Sequence, residues 1–381
     1  MHICFLSHEY PIWATGGIGT FIQTTGRALV TAGHQVSVVG IGYKDEEEVF
    51  NDEGVEVYRL AYPRFLQKRG RAISRGWVMR KQVLKIHQQN PIDIIETPEA
   101  GLYYWFGRQP FVKVVRMHGG HHFFAESENR EVKWGRGMLE KISFRNADAF
   151  IAVSKYVKSH TAKYLSTGKK PVEVIRLSIN DKLFRQADHR KTIKHRLVFA
   201  GTVCEKKGIR HLLMALHEVI EKFPNVHLDV YGRDWSYPDG TSYTATLKRT
   251  FKEDVLSHVT FHGSVKLSEI PDKYEEAELC VFPSLMETQG LVAPEAMVMG
   301  KPVLFSNTGP GMETIEHMVT GLLCNPYEPK DISRQIVFAF EHPERMVEIA
   351  KAGQRFAQKT FNLSEVTEQN VDFFHRLCKL R

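Results

Sequence analysis

Short apolar runs alternate with longer polar or helix-patterned segments along the whole chain. In the first half these runs lie at residues 2–6, 36–39, 55–60, 92–95, 112–117 and 149–153, and in the second half at 197–200, 226–231, 259–262, 279–282 and 302–305. Alternation of short strands with helices is typical of doubly wound parallel sheets that are covered on both faces. The pattern therefore predicts an α/β protein built on two parallel sheets.

The alternation is interrupted around residues 187–196, where the chain is strongly polar and has no clear period. We interpret this segment as an interdomain linker, because exposed polar stretches commonly separate domains. The sequence thus predicts an N-terminal domain over residues 1–188 and a second domain that begins at residue 189.

Composition narrows the class of protein. Of the 381 residues, 43% are hydrophobic and 25% are charged, which suits two packed domains and argues against disorder. No apolar run approaches the roughly 20 residues that span a bilayer. The first residues lack the basic segment and long apolar core of a signal peptide, and the five cysteines are widely spaced. We therefore expect a cytoplasmic protein with reduced core cysteines.

The net charge of +7 indicates an acidic partner, either nucleic acid, an anionic membrane or a phosphorylated substrate. Residues 62–90 contain no Asp or Glu, and Ile73, Trp77 and Leu84 recur there at helical spacing. The segment from Arg64 to Lys85 therefore predicts a basic amphipathic helix on an anionic membrane surface, which would place the protein peripherally on the inner face. The alternative is a solvated helix face whose arginines pair with acids elsewhere. The basic residues are Arg64, Lys68, Arg69, Arg71, Arg75, Arg80, Lys81 and Lys85.

The stretch from 283 to 302 carries the strongest candidate chemistry. Glu287 follows an apolar run, and open α/β sheets bind ligands at the carboxyl ends of their strands. Pro294 is tolerated only in the first turn of a helix, so a helix is expected to begin near Gly290, with Glu295 one turn inside it. A loop that leads into a helix start favours an anion such as phosphate. An acidic loop that caps an ordinary helix is the alternative.

Two other loops follow predicted strands and precede predicted helices. The first contains Gly16 and Gly17, which would let a backbone approach a phosphate or sugar closely, although the spacing of the dinucleotide fingerprint is absent. The second contains Lys206 and Lys207, either of which can meet a pyrophosphate as a point charge, although the P-loop spacing is absent. A tight packing turn and a pair of solvated lysines are the respective alternatives.

Three histidines, His118, His121 and His122, follow the strand at 112–117. No Asp or Glu stands at a matching metal-ligand spacing, so we expect no metal site and no cofactor. His118 is better placed to hydrogen-bond a ligand, and a purely structural histidine is the alternative. The basic residues of the chain are not interleaved with a base-stacking platform, so nucleic acid is not an expected partner.

The stretch from 283 to 302 also contains three short motifs in a fixed order, P-S, then E-x-x-G-x-x-x-x-E-A, then G-x-P-V. With the loops described above, this order resembles the retaining GT-B glycosyltransferases of family 4, also called glycosyl transferases group 1, along essentially the whole chain. The matching residues are Pro283-Ser284, Glu287, Gly290, Glu295-Ala296, Gly300-Lys301-Pro302-Val303, Gly16-Gly17, His118, Val153-Ser154, Lys207-Gly208 and Phe261-His262-Gly263.

The resemblance implies two Rossmann-like domains that face each other across a cleft. The acceptor, a glycan or a lipid-linked sugar, would bind mainly to domain 1–188, and the nucleotide-sugar donor mainly to domain 189–360. Residues 361–381 would form a helix that crosses back to the first domain. The implied activity is transfer of a hexose from a UDP-sugar or GDP-mannose, in the synthesis of a cell-surface polysaccharide.

The resemblance also implies roles for single residues. Glu295 would accept hydrogen bonds from the ribose hydroxyls, and Glu287 from hydroxyls of the transferred sugar. Lys207 would neutralise the diphosphate, and His118 would contact the sugar near its reacting carbon. The catalytic residues would be His118, Glu287 and Lys207, and the donor-binding residues Gly16, Gly17, Thr202, Gly290, Leu291, Val292 and Glu295.

Thr202 is the main departure from the family pattern, which usually has an arginine at this position. The diphosphate is then short of one positive charge, unless Arg233 or another basic residue supplies it. The departure keeps a second function open, a catalytically impaired subunit that binds a nucleotide sugar or a protein partner. A nucleotide-sugar epimerase on the same fold is a third alternative.

Overall fold

A computed structural model describes residues 1–11, 16–42, 46–65, 70–128 and 130–380. The chain forms two compact units, Met1–Ser178 together with Leu363–Arg381, and Ile179–Asn362. Each unit contains one sheet of mainly parallel strands with helices packed on it. The prediction of two parallel-sheet α/β domains is confirmed.

The first unit holds an eight-stranded sheet with the strand order β3-β4-β2-β1-β5-β6-β7-β8. All neighbouring strands are parallel except β3 and β4, which form an antiparallel hairpin at one edge. The elements are β1 His2–Leu6, α1 Gly17–Thr31, β2 Gln35–Ile41, β3 Glu48–Asp52, β4 Val55–Leu60, α2 Arg71–Gln89, β5 Ile94–Thr97, β6 Val112–Met117, α3 His121–Ser127, α4 Trp134–Asn146, β7 Ala149–Ala152, α5 Lys155–Ala162 and β8 Val172–Val174.

The second unit holds a six-stranded parallel sheet with the strand order β11-β10-β9-β12-β13-β14. Its elements are β9 Arg196–Ala200, α6 Ile209–Lys222, β10 His227–Tyr231, α7 Tyr243–Thr250, α8 Glu253–Leu256, β11 Val259–Gly263, α9 Ile270–Glu276, β12 Leu279–Phe282, α10 Val292–Val298, β13 Val303–Ser306, α11 Gly311–Thr314, β14 Leu322–Cys324, α12 Pro329–Glu341 and α13 Pro343–Thr360.

Strands β1, β5, β6, β7, β12 and β13 are buried at every position, as sheets covered on both faces require. This burial explains why the apolar runs located them. The runs missed β3, β8 and β14. Strand β3 lies at a sheet edge with Val49 67% exposed, and β8 is half-buried throughout.

The polar segment at 187–196 is part of the second unit. The backbone N–H of Ala187 donates to the carbonyl of Met299, 3.0 Å away, and that of Ile193 donates to the carbonyl of Glu276, also 3.0 Å away. Earlier in the chain, the N–H of Ile179 donates to Phe361 over 3.0 Å. The boundary between the two units therefore lies at Ser178, before the polar segment that was predicted to be the linker. Half of the residues of that segment are exposed, while its backbone is anchored to the second unit.

The last helix, α14, spans Leu363–Lys379 and belongs to the first unit. Its buried side chains include Val366, Phe373 and Leu377. Asn370, which is fully buried, accepts a hydrogen bond from the guanidinium of Arg116 on β6. Arg116 in turn forms a bidentate pair with Glu96 on β5, with N···O distances of 2.7 and 2.9 Å. A buried ionic network thus ties the helix to two central strands.

Within the described ranges, no helix has the length and apolar character needed to cross a bilayer.

Candidate functional site

In the sheet of the second unit, the direction in which successive strands are added reverses between β9 and β12. From β9 the chain continues to β10 on one side, and from β12 it continues to β13 on the other. Ligands of open α/β sheets bind at such a switch point, outside the carboxyl ends of the strands. The loops that follow β9 and β12 are joined there, because the carbonyl of Lys206 accepts from the N–H groups of Leu285, at 2.9 Å, and Met286, at 3.3 Å.

Gly208 lets these two loops approach closely. Its φ of +73° is a conformation that side-chain-bearing residues rarely adopt. A Cβ atom at this position would lie 1.9 Å from the carbonyl oxygen of Pro283. No other residue fits there, and the contact fixes Lys207 directly beside the loop after β12.

Lys207 and Glu287 form an ion pair between the two loops. The Glu287 Oε1 atom accepts from Lys207 Nζ and also from the hydroxyl of Ser284, over 2.9 Å. The side chains of Lys207 and Glu287 are 22% and 10% exposed, so both are accessible but poorly screened by water. The arrangement places a cation and a carboxylate side by side at the switch point, where an incoming phosphate can compete for the lysine.

Gly290 turns the chain from this loop into α10. Its φ is +75°, and a Cβ atom here would lie 2.5 Å from the ring of Phe305 on β13. Leu291 then caps the helix, and Val292 is its first residue. The predicted helix start is therefore observed within two residues of Gly290.

Glu295 lies in the first turn of α10, where its N–H donates to the carbonyl of Leu291 over 2.9 Å. Burial raises the pKa of Glu295 to about 7, and the positive charge of Lys207 acts in the opposite direction. The two predicted glutamates thus flank one lysine. Their environments differ, because Glu287 is paired directly with Lys207 and Glu295 is not.

Thr202 follows β9 and lies next to Arg233, which follows the neighbouring strand β10. The Nε atom of Arg233 donates to the Thr202 hydroxyl over 3.4 Å, and the N–H of Val203 donates to the carbonyl of Arg233 over 2.9 Å. Arg233 therefore brings a guanidinium to the position where the family usually has an arginine in the chain itself.

The remaining candidates, Gly16, Gly17 and His118, lie in the first unit. Gly16 caps α1, and a Cβ atom on it would lie 2.2 Å from a carboxylate oxygen of Glu9, which also accepts from the N–H of Gly19 over 3.4 Å. The carboxylate of Glu9 therefore lies against the Gly16 backbone, where the sequence predicted that a phosphate or sugar would bind. A Cβ atom on Gly17 would meet nothing within 4 Å.

His118 follows β6 and is buried, with its ring 5.3 Å from that of Phe21. Burial lowers the pKa of His118 to about 3, and the neighbouring charge of Arg116 adds to the effect. The imidazole is therefore neutral near pH 7. It can exchange hydrogen bonds with a sugar but carries no charge that would oppose a developing cation.

Two family models cover nearly the whole chain. The model described as Glycosyltransferase Family 4 matches residues 15–183, and the one described as Glycosyl transferases group 1 matches residues 181–356. The chain belongs to glycosyltransferase family 4. An uncharacterized glycosyltransferase of Methanocaldococcus jannaschii is 28% identical to it over 359 residues, which are 87% of each chain.

Solved structures agree with this assignment at the level of the fold. Sucrose-phosphate synthase from Thermosynechococcus elongatus superposes with a TM-score of 0.83 at 23% identity, covering 100% of both chains. The Anabaena protein HepE, solved in complex with UDP-glucose, gives a TM-score of 0.76 at 17% identity, covering 99% of this chain and 100% of HepE. The GT-B fold predicted from the sequence is confirmed, and the protein is a glycosyltransferase that uses a nucleotide-sugar donor.

The glycosyltransferase brings together in its second unit the predicted residues Thr202, Lys207, Glu287, Gly290, Leu291, Val292 and Glu295. Gly16, Gly17 and His118 belong to the first unit. The P-S motif contains Ser284 but did not predict its contact with Glu287, although a hydroxyl three residues before Glu287 is within local hydrogen-bonding reach. In the described parts of the chain, no group of three or more His, Cys, Asp and Glu side chains could hold a metal ion.

We predict that Arg233 replaces the missing family arginine. Arg233→Ala should weaken donor binding by about tenfold, because a hydrogen bond to a charged group contributes roughly 1.5 kcal/mol or more. Titration calorimetry with UDP and GDP measures the loss. Arg249→Ala, on the exposed end of α7, is the matched control and should bind like wild type. Equal affinity of both variants would remove Arg233 from the site.

Proposed function

We propose that this glycosyltransferase transfers a hexose, with retention of anomeric configuration, from a UDP-sugar or GDP-mannose to a glycan or glycolipid acceptor in cell-surface polysaccharide synthesis. The observation that carries the proposal is the Lys207–Glu287 pair beside Glu295 at the switch point of the second sheet. A lysine flanked by carboxylates suits a ligand with both phosphates and sugar hydroxyls.

Departure of a nucleoside diphosphate builds negative charge on phosphate and positive charge on the sugar ring. Lys207 is assigned to the phosphate charge, since a fixed cation in a partly dry site stabilises charge that develops during reaction. When the phosphate takes over Lys207, Glu287 is released to accept from sugar hydroxyls. Glu295 is assigned to the ribose hydroxyls, and Leu291 and Val292 to the backbone that faces the sugar and its phosphates.

Retention is proposed without a covalent sugar intermediate. Glu287 Oε1 accepts from the Ser284 hydroxyl over 2.9 Å, and this hydrogen bond does not depend on Lys207, which favours a hydrogen-bonding role for Glu287 over attack on carbon. The acceptor hydroxyl would attack from the face that the diphosphate leaves, and its proton would pass to the departing phosphate. The neutral imidazole of His118, from the first unit, is assigned to the sugar near its reacting carbon.

The proposal is tested with a donor panel of UDP-glucose, UDP-galactose, UDP-N-acetylglucosamine and GDP-mannose. Release of UDP or GDP is followed with and without glycan acceptors, and proton NMR reads the anomeric configuration of the product. We expect one donor to be consumed, with its α-linkage kept. Donor isomerisation without an acceptor would indicate an epimerase instead, and binding with neither transfer nor hydrolysis would indicate the impaired subunit.

Glu295 predicts a pH dependence of donor binding. Because the pKa of Glu295 is raised to about 7, the side chain is a neutral acid below that pH, and a neutral acid accepts hydrogen bonds from the ribose hydroxyls more weakly than a carboxylate does. Affinity for a nucleotide sugar should therefore be about tenfold lower at pH 6 than at pH 8. Calorimetry at both values measures it, and Glu295→Gln should abolish the difference. A wild-type affinity that does not change with pH would contradict the ribose assignment.

The raised pKa of Glu295 also makes the stability of the folded protein depend on pH. The folded protein holds a proton on Glu295 that the unfolded chain releases once pH exceeds its ordinary carboxyl value of 4.5. The contribution of Glu295 to folding therefore becomes less favourable as pH rises from about 4.5 to about 7.

We further propose that α2 binds an anionic membrane surface. Ile73 and Trp77 are 67% and 56% exposed on this helix, and the ring of Phe65 lies 5.7 Å from that of Trp77. Arg71, Lys81 and Lys85 are exposed, and among the described residues no carboxylate forms an ion pair with them, which leaves their charge available to a lipid headgroup. Arg75 and Arg80 are half-buried and donate to the Tyr62 hydroxyl over 3.0 Å and to the carbonyl of Tyr104 over 3.3 Å. Lys68 and Arg69 of the predicted segment lie outside the described residues.

Vesicle flotation tests this surface. Wild type should float with vesicles of phosphatidylcholine and phosphatidylglycerol at low salt and be released at high salt, because the attraction is screened within a Debye length of about 10 Å at 0.1 M. Trp77→Ser should float less, whereas Trp134→Ser, an exposed tryptophan on α4, should float like wild type. If the fraction of protein that floats does not depend on salt or on lipid charge, the result would argue for a soluble acceptor.

A further inference from the structure

The turn that carries His118 lies between two buried glutamates of the first unit. It runs from the end of β6 through Gly119 and Gly120 into α3. Gly119 has a φ of +88°, and a Cβ atom on Gly120 would lie 2.1 Å from Glu140 Oε1 and 3.1 Å from the Cβ atom of Glu99. Position 120 therefore leaves no room for a side chain, because the turn passes close to both glutamates there.

Glu140, on α4, holds the end of the turn. It is 1% exposed, and Oε1 accepts from the N–H of His121. Oε2 accepts from the N–H of His122 over 3.3 Å and also contacts the Nδ1 atom of the His122 ring. Both carboxylate oxygens therefore act as acceptors. The ring of His122 is thus engaged by a carboxylate of the same unit.

Glu99 lies beside the turn on the β5 side. It follows β5, which neighbours β1 at the switch point of the first sheet, and it is 4% exposed. Burial raises the pKa of Glu99 to about 8, the charge of Glu140 adds to this, and hydrogen bonding to the backbone amides of Gly119 and His118 opposes it. Near pH 7 the side chain is therefore a neutral acid. Its Oε1 atom has no hydrogen-bond partner among the described residues.

We propose that Glu99 and Glu140 are positioning residues for His118. They hold its imidazole in the position from which it contacts the sugar, Glu99 from the β5 side and Glu140 from the α4 side. Neither role was apparent from the sequence, and the inference rests on the proposed function of His118. A displacement of about 1 Å in a reacting group can lower the rate by about 100-fold, so a held turn matters for transfer.

The two glutamates respond differently to replacement by glutamine. At Glu99 an amide keeps the carbonyl acceptor and the absence of charge, so the turn should be held as before. At Glu140 an amide replaces one of two acceptor oxygens with a donor. Whichever way it is turned, an N–H group of His121 or His122 then faces another N–H group, and a buried unsatisfied donor is costly. Glutamine therefore suits one position and not the other.

The test compares full-length wild type with Glu99→Gln, Glu99→Ala, Glu140→Gln and His118→Ala. Steady-state kinetics separates kcat from the donor KM, and hydrogen exchange measures protection of the amides from 118 to 122. We expect Glu99→Ala and Glu140→Gln to lose about 100-fold in kcat with an unchanged donor KM. Their turn amides should exchange faster, and Glu99→Gln should restore both properties. Thermal unfolding identifies variants whose first unit fails to fold, and UDP or GDP binding checks separately that the second unit is intact.

The inference is overturned if Glu140→Gln keeps both wild-type kcat and wild-type protection, or if Glu99→Gln is as impaired as Glu99→Ala. If His118→Ala transfers sugar like wild type, the assigned role of His118 fails instead. Amide exchange then still decides whether the glutamates hold the turn.

Discussion

Lys207→Ala should lower kcat for sugar transfer by about 100-fold to 1000-fold, the usual loss when one preorganised charge-stabilising group is removed. Lys207 is held beside the loop after β12 by the Gly208 turn, so once the bound diphosphate has displaced Glu287, no further rearrangement is needed when the diphosphate departs. Initial rates at saturating donor measure the effect. Lys222→Ala on α6 is the control, because its pair with Glu341 is exposed and contributes little.

A comparison of kcat with the donor KM of Lys207→Ala shows whether Lys207 acts on the chemical step or on donor binding. If Lys207 acts mainly on the departing phosphate, kcat falls more steeply than donor affinity. A variant with a raised KM and a normal kcat would show that Lys207 binds donor and transition state equally. A fully active variant would refute its catalytic assignment.

Glu96→Ala should destabilise the first unit by about 3–5 kcal/mol, because it leaves the Arg116 guanidinium buried without its counter-charge. Arg116 and Glu96 are 1% and 2% exposed, and Arg116 also donates to Asn370 on α14. Denaturant unfolding, followed by a probe in the first unit, measures the loss. We expect release of α14 from β6 to accompany it.

The control for this change removes an exposed ion pair made by the same helix. Glu173 on β8 and Arg376 on α14 form an ion pair 2.9 Å long, with side chains 44% and 60% exposed. Glu173→Ala should cost no more than about 1 kcal/mol, as is usual for surface pairs. Similar losses from Glu96→Ala and Glu173→Ala would contradict a special role for the buried network.

Much of the fold follows from local pattern alone. Strands such as β1 and β12 are buried on both faces, so their sequences are apolar throughout and could be recognised without a partner. Glu287 and Lys207 follow such strands directly, so their positions at one edge of a parallel sheet could be predicted. Gly290 was identified by its motif. The structure explains why a glycine is needed there, because a side chain would collide with the ring of Phe305.

Other features depend on contacts that no local pattern encodes. The ion pair of Lys207 with Glu287 joins residues 80 positions apart, and the contact of Arg233 with Thr202 spans 31 positions. The segment at 187–196 is polar in composition, yet its backbone hydrogen bonds are made with the second unit. Glu140 lies on a helix whose other residues gave no sign of a ligand or turn contact.

The central claim is that the second unit binds a nucleoside diphosphate at its switch point through Lys207 and Glu295. Thermal unfolding with and without UDP or GDP tests it most directly. At 100 times its Kd, one nucleotide should stabilise wild type by about 2.7 kcal/mol, on the order of 5–10 °C for a unit of this size. The double variant Lys207→Ala/Glu295→Ala should lose most of that shift. No shift of wild type by either nucleotide, or an undiminished shift of the double variant, would contradict the account.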